Sequence, residues 1–299
     1  MLDLRRLRLL SELSRRGTIA EVARVVGYTP SAVSQALAQL ERETGTALLE
    51  RDGRRVRLTP AAHTLVTRTE RALAELDAAE AELAAEHDAV RGEIVIGAFP
   101  SAAAGLVVPA GAQLAHEHPE LVCSVREHEP EDGIPLLRSG ALDLLVSERY
   151  EAVEPAPAGG LEATLLMSEP LLLVLPRGDR RRSPVPLETL SGERWIAGIA
   201  GTQFAAALEQ ACRSAGFRPQ VAHRADDALL FQAIVAQRAG IGLLPALACS
   251  GAAGVRFAEV AAPAPPRRQI DALTRRAAAR RPALAVMLEA LRAAGAARA

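Results

Sequence analysis

The sequence predicts an α/β chain in three parts: an N-terminal winged helix-turn-helix, one long linker helix, and a two-part remainder in which strands and helices alternate. Three observations predict it. Two helix starts lie about eleven residues apart between Thr18 and Leu40, no Gly or Pro stands between Pro60 and Gly92, and short apolar runs separated by helical stretches fill the rest.

Leu4, Leu7, Leu10 and Leu13 give a first amphipathic helix that Gly17 ends. Thr18 and Glu21 have the spacing of a capping box, in which the threonine hydroxyl accepts from the third helical amide and the glutamate reaches back to the Thr18 amide. A short second helix follows and stops at Gly27. Thr29 is then an N-cap and Pro30 occupies the first helical position, where a missing N–H costs nothing. In the third helix Val33, Leu37 and Leu40 form the buried stripe, leaving Ser31, Ser34, Gln35 and Gln39 outward. The major groove admits an α-helix, and Ser and Gln can hydrogen-bond base edges. Thr18, Thr29, Pro30, Ser31, Ser34, Gln35 and Gln39 are therefore the candidate DNA contacts of the helices. After Gly45, the run LLERDGRRVRLT reads as two short strands around Asp52-Gly53, a β-hairpin whose Arg51, Arg54, Arg55 and Arg57 can reach the phosphate backbone.

Thr59 and Pro60 repeat the cap-plus-proline start, and a helix of about thirty residues, roughly 45 Å long at 1.5 Å per residue, is expected from there to Gly92. Ala62, Val66, Leu73, Leu76, Ala79 and Leu83 fall near a 3.5-residue spacing along it, with Glu70, Glu75, Glu80, Glu82 and Glu86 on much of the rest. Such a stripe needs a partner, so pairing of two copies is expected; two reading helices at fixed separation then imply an imperfectly palindromic double-stranded DNA site. The competing expectation is that this helix packs on its own chain.

Beyond Gly92 the expected strands are 93–98, 121–127 and 141–146, with helices ending near His118 and running through Leu136-Leu137. A Pro/Ala/Gly-rich passage at 152–160 interrupts the pattern. A second set holds strands at 171–175, around Trp195-Ile196, at 219–223 and at 240–245, with helices from Thr202 and Asp226. A second loose stretch at 261–266 precedes a strand at 270–274 and a last helix from Pro282. Alternation of this kind predicts parallel, helix-covered sheets. Ligands of open α/β sheets bind at strand carboxyl ends, where helix N-termini present free N–H groups. Pro100, Ser101 and Ala102 after the first strand, and Thr202 and Gln203 after Gly201, meet that description; Ser147, Arg149 and Phe204 are secondary candidates. Hydroxyls and positive helix ends would suit a carboxylate or another small anion, and plain helix capping is the competing reading.

The helix pair with its SAVSQALAQLERETGTALLER continuation, the arginine wing, the LTPAA start of the next helix and the two strand–helix sets together resemble the LysR-type transcriptional regulators, along the whole chain. One departure is visible: many relatives carry Gln before the proline and Arg where Gln35 or Ala36 stands, whereas this chain has Thr29, Gln35 and Ala36. The resemblance implies a DNA-binding domain at 1–59, a dimerising linker at 60–91 and an effector-binding domain at 92–299. That domain is expected to have two lobes like those of periplasmic solute-binding proteins, lobe I at 92–160 and 267–299 and lobe II at 161–266. It further implies a homodimer or homotetramer on promoter DNA, modulated by a small molecule in the interlobe cleft.

Composition agrees with that class. The 299 residues carry a net charge of −1, yet residues 1–59 hold eleven Arg against seven Asp plus Glu, a local +4 that suits phosphate contact. All 35 cationic residues are Arg, scattered along the chain, as GC-rich codon usage would give. No apolar run approaches a membrane span, and no signal peptide opens the sequence, so a cytoplasmic protein without membrane contact is expected. No nucleophile elbow, metal-ligand spacing or cofactor motif stands out. His116 and His118 lack completing ligands, and Arg180-Arg181-Arg182 reads as a solvated loop. No catalytic residue, metal or cofactor is therefore assigned. Three alternatives stay open: a DNA-tethered enzyme, a DNA-architectural protein without an effector, and a redox-sensing regulator pairing Cys212 with Cys249, as some LysR-type regulators do.

Overall fold

A computed structural model of the chain describes residues 2–52, 55–85, 90–151, 160–249, 253–262, 265–276, 278 and 281–298. The head contains α1 (Leu4–Arg16), α2 (Ile19–Val26) and α3 (Pro30–Thr44), followed by the hairpin of β1 (Leu49–Asp52) and β2 (Arg55–Leu58). The caps expected at Thr18 and Thr29 and the glycine stops are in place, and Asp3 adds an N-cap not expected from the sequence. Asp3, Thr18 and Thr29 accept first-turn amides, and Gly17, Gly27 and Gly45 close the C-termini in the left-handed region, where a Cβ would be strained. The capping box is half formed. Thr18 Oγ1 accepts from the Glu21 amide at 3.3 Å, but the Glu21 carboxylate turns to Arg24 Nη2 at 2.7 Å and Arg16 Nη1 at 3.4 Å, because two guanidiniums outweigh one backbone amide. Leu7, Leu10, Leu13, Val22, Val33, Leu37 and Leu40 make one core, while Leu4 stays exposed.

Helix α4 is described over Pro60–Ala85, and the rest of the expected span up to residue 89 lies outside the described residues. Its Ala62 and Val66 do not belong to a free seam: both are buried in the head core. Farther along, Leu76 is 47% exposed and Ala79 is exposed.

The remainder begins with β3 (Gly92–Ala98), the short α5 (Pro100–Ala102), a π-helical turn (Ala103–Val107), α6 (Val108–Glu117), β4 (Leu121–Glu127), α7 (Pro130–Ser139) and β5 (Leu144–Tyr150). Strand β6 (Leu161–Pro176) is sixteen residues long. After it come β7 (Val185–Pro186), β8 (Arg194–Ala197), α8 (Gln203–Ser214), β9 (Gln220–Arg224), α9 (Ala228–Ala236) and β10 (Gly242–Pro245). The chain closes with β11 (Val255–Ala258), β12 (Val260–Ala261), β13 (Arg267–Arg275) and α10 (Pro282–Ala296).

The sheets are mixed instead of wholly parallel. Strand β3 pairs in parallel with β4 and β5, and β8 with β9, but β13 lies antiparallel to both β5 and β6. Strand β6 serves both halves: residues 161–170 pair with β13, whereas 171–176 pair with β10 on one edge and β11 on the other. The partner change falls at Pro170, which has no N–H to orphan, and Leu171 donates to Pro266 O at 3.0 Å. One core gathers β3, α6 and α10 residues, including Ile94, Ile96, Leu106, Leu284 and Met287; a second surrounds Trp195, Leu173 and Leu208.

Two expected strands shift. The strand expected at 141–146 runs instead from Leu144 to Tyr150, since Gly140 caps α7 and Asp143 Oδ2 accepts from the Val95 amide before pairing begins. The strand expected at 171–175 starts ten residues earlier, where its alternating polar residues hide it from an apolar-run criterion.

Candidate functional site

On α3 the buried stripe forces the opposite face into solvent, and Thr29, Pro30, Ser31, Ser34 and Gln35 are all exposed. Thr29 Oγ1 caps Ala32 N at 3.2 Å and lies 3.0 Å from Ser31 Oγ, so these two hydroxyls hold the helix start. Gln39 is already engaged: its Oε1 accepts from Arg42 Nη2 at 2.6 Å and its Nε2 donates to Glu43 at 3.3 Å. Ser34 and Gln35 are exposed on the same face with no hydrogen-bond partner among the described residues, which leaves their functional groups to solvent. Thr18 is exposed at the start of α2. Tyr28, 51% exposed immediately before the Thr29 cap, joins this face; an aromatic in a turn between two capped helices is the signal that points to it. Arg51 and Arg55 lie in the paired hairpin strands, Arg57 is exposed, and Arg54 lies outside the described residues.

A cavity of about 500 Å³ opens between the two halves of the remaining chain. Pro100, Ser101, Thr202 and Gln203, expected from opposite lobes, all line it, as does Phe204. Ala102 does not: it is fully buried in the core beneath. Ser147 and Arg149 do not either. Alternation along β5 turns Tyr150 into the cavity and sends Ser147 and Arg149 toward an adjoining cavity of about 470 Å³ beside Glu12 and Arg16 of α1, while Glu148 lines both.

The centre of the first cavity is Arg268 on β13, only 3% exposed. Its Nη1 donates to Glu148 Oε2 at 2.7 Å. Its Nε and Nη2 donate to Glu169 Oε1 at 2.8 and 2.5 Å, and Nη2 also donates to Ser101 Oγ at 3.1 Å. The guanidinium carbon sits 4.9 Å from the Phe99 ring centroid, a cation–π contact. Burial works against its charge, but Glu148, Tyr150 and Glu169 outweigh it and tighten its hold on the proton. Glu169 Oε2 accepts from the Leu247 amide at 2.6 Å, which carries the network across to the opposite wall. Sequence reasoning misses Arg268, Glu148 and Glu169, since their contacts span 99 to 167 residues.

The rest of the lining is acidic. Glu127, Glu129, Glu131, Asp226 and Asp227 reach it, and among the described residues none has an ion-pair partner. Partial enclosure, then the carboxylates of Glu148, Glu131, Asp226 and Glu127, push the Glu129 carboxyl up to about 7. Each of the two nearby helix N-termini has one amide capped from within. Thr202 Oγ1 accepts from Ala205 N at 3.2 Å, and Asp227 Oδ1 accepts from Leu230 N at 2.7 Å.

The comparisons with known proteins fit this architecture. The model described as "Bacterial regulatory helix-turn-helix protein, lysR family" matches residues 4–63, and that of the "LysR substrate binding domain" matches residues 87–296. The chain belongs to the LysR family. It is therefore a transcriptional regulator with a helix-turn-helix head and an effector-binding domain, in a family whose members are not enzymes. Among its relatives is the "Probable hydrogen peroxide-inducible genes activator" of Mycobacterium leprae, 30% identical over 277 residues, covering 88% of this chain and 85% of that one. A full-length OxyR variant from Pseudomonas aeruginosa shares the fold at a TM-score of 0.66 and 19% identity, over 98% of this chain and 95% of that one. Full-length CbnR complexed with its target DNA does so at 0.57 and 20%, over 98% and 100%.

In this LysR-family chain the head touches the effector-binding part. Arg24 Nη2 on α2 donates to Asp132 Oδ1 on α7 at 2.9 Å, and the start of α7, Glu129-Pro130-Glu131, lines the first cavity. The thiols are placed unfavourably for oxidant sensing. Burial pushes Cys212 and Cys249 up to about 12, Glu169 adding to the effect on Cys249, so neither is a thiolate at neutral pH. Among the described residues no helix is long and apolar enough to cross a membrane.

Proposed function

We propose that this LysR-family regulator binds double-stranded promoter DNA through the exposed face of α3 and the hairpin arginines. Two copies paired along the distal part of α4 would meet an imperfectly palindromic site. A small molecule in the interlobe cavity would change how the copies hold their heads. The observation carrying this reading is the cavity itself, built from both halves around Arg268 with α7 joining its wall to the head. Only a ligand with unequal affinity for two arrangements of the lobes can shift the heads. Ser101, Thr202 and Gln203 are the ligand contacts assigned from the lining, with Pro100 as wall.

Footprinting on the DNA just upstream of the gene tests it. Ser34→Ala and Gln35→Ala should each relax base preference by about 1–3 kcal/mol, while Arg54→Ala should weaken binding to every sequence and shallow its salt dependence. Unchanged gel-shift behaviour in all three would sink the assignment. The relatives named for peroxide favour a second reading, oxidant sensing through Cys212 and Cys249. Mass spectrometry after mild peroxide should find neither sulfenic acid nor disulfide there, and finding either would establish that second reading.

A further inference from the structure

We infer that the effector of the interlobe cavity is an organic cation, a molecule carrying an ammonium or guanidinium group on an apolar body; this rests on the cavity being the effector site. The lining presents acceptors in surplus and almost no free donors. Among the described residues its one cation, Arg268, is consumed by Glu148, Glu169 and Ser101, and the Tyr150 hydroxyl donates to Glu148 at 3.2 Å. At the starts of α8 and α9, the places that would receive an anion, one amide of each, Ala205 N and Leu230 N, is already taken by Thr202 and Asp227, and the second of these caps is itself a carboxylate. Against this stand Glu127, Glu129, Glu131, Asp226 and Asp227, without ion-pair partners among the described residues.

Three further observations fit the same ligand. Gln203 lines this cavity and the adjoining one, and among the described residues its buried Oε1 has no donor, an acceptor that an N–H would satisfy. Among the described residues no three carboxylates converge as a metal site would require, so the charge to be met is spread along an extended molecule. Phe99, Phe204, Leu229, Leu244 and Leu247 supply the apolar wall for its body, and aromatic faces also favour cations. Mutual repulsion among the carboxylates from both sides of the cleft opposes closure, and a cation between them reverses the sign of that interaction. Closure would then be coupled to binding by charge alone.

The test uses the full chain at low ionic strength, with 2-phenylethylamine and agmatine as cationic probes and 3-phenylpropionate as a carboxylate of matching size. Calorimetric titration should show the amines binding at least tenfold more tightly than the carboxylate. Glu129→Gln and Asp226→Asn should each weaken amine binding about fivefold or more while leaving the carboxylate unchanged or improved. Equal or tighter binding of the carboxylate, no loss in the two variants, or no binding of either amine would overturn the proposal. A gel shift on the same samples separates this outcome from the underlying reading. Amines that bind but leave DNA mobility unchanged would refute the cavity as effector site with its charge preference intact. A carboxylate that binds and shifts the DNA would preserve the site and refute the cation.

Discussion

Arg268 decides most at the scale of single residues. A buried guanidinium between two carboxylates is a costly arrangement, and removing one member leaves the others charged without compensation. Arg268→Ala should therefore destabilise the effector-binding part by about 3–5 kcal/mol in urea unfolding. Arg268→Met with Glu148→Gln and Glu169→Gln should recover much of that. Glu129 carries a different prediction. Its carboxyl is raised in the folded chain to about 7, so the folded state keeps a proton that the unfolded chain has already lost. Stability should then be higher at pH 5 and fall as pH rises toward 8, against the facing charges of Glu148, Glu131, Asp226 and Glu127. Thermal melts of Glu129→Gln should lose this slope and lie above the parent at pH 8. None of this is legible in the bare sequence: Glu129 looks like any helix-start acid, and its partners converge only after the chain has folded.

At the scale of elements, the head is readable because its signals are local. Thr18, Gly27, Thr29 and Pro30 act within four residues of themselves, and such signals survive in a bare sequence. Strand β5 shows the opposite case. Its apolar run places the start three residues early and the end four residues early, which puts Ser147 at a strand end beside the ligand. One residue of parity decides the face, and Glu148 and Tyr150 hold the positions instead. Ser147→Ala should leave probe affinity in the interlobe cavity unchanged, whereas Tyr150→Phe should alter it by freeing Glu148; titration of both variants checks the assignment. The length of β6 escapes a sequence reading for a related reason, since its first ten residues serve an edge where polar side chains are tolerated.

At the scale of the whole molecule, the three-part plan and the return of the last strand to the first half follow from strand–helix alternation and the family resemblance. The contact between head and effector part does not, because Arg24 and Asp132 are 108 residues apart. Along the linker helix Ala62 and Val66 serve the head core instead of a seam between copies, while Leu76 is exposed and is the position we propose for the contact with a second copy. Light scattering at micromolar concentration should report a dimer or tetramer, and Leu76→Arg should push it toward monomer without lowering the melting temperature of the head.

Strand β6 has a mechanical consequence. One unbroken strand hands its hydrogen bonds from β13 to β10 and β11 at Pro170, so the two halves are joined by a paired strand and not by a slack linker there. Their relative movement must be taken up as torsion of that strand, anchored at both ends by ladders. A ligand that twisted the strand would work against those ladders, and their hydrogen bonds would favour the return when it leaves.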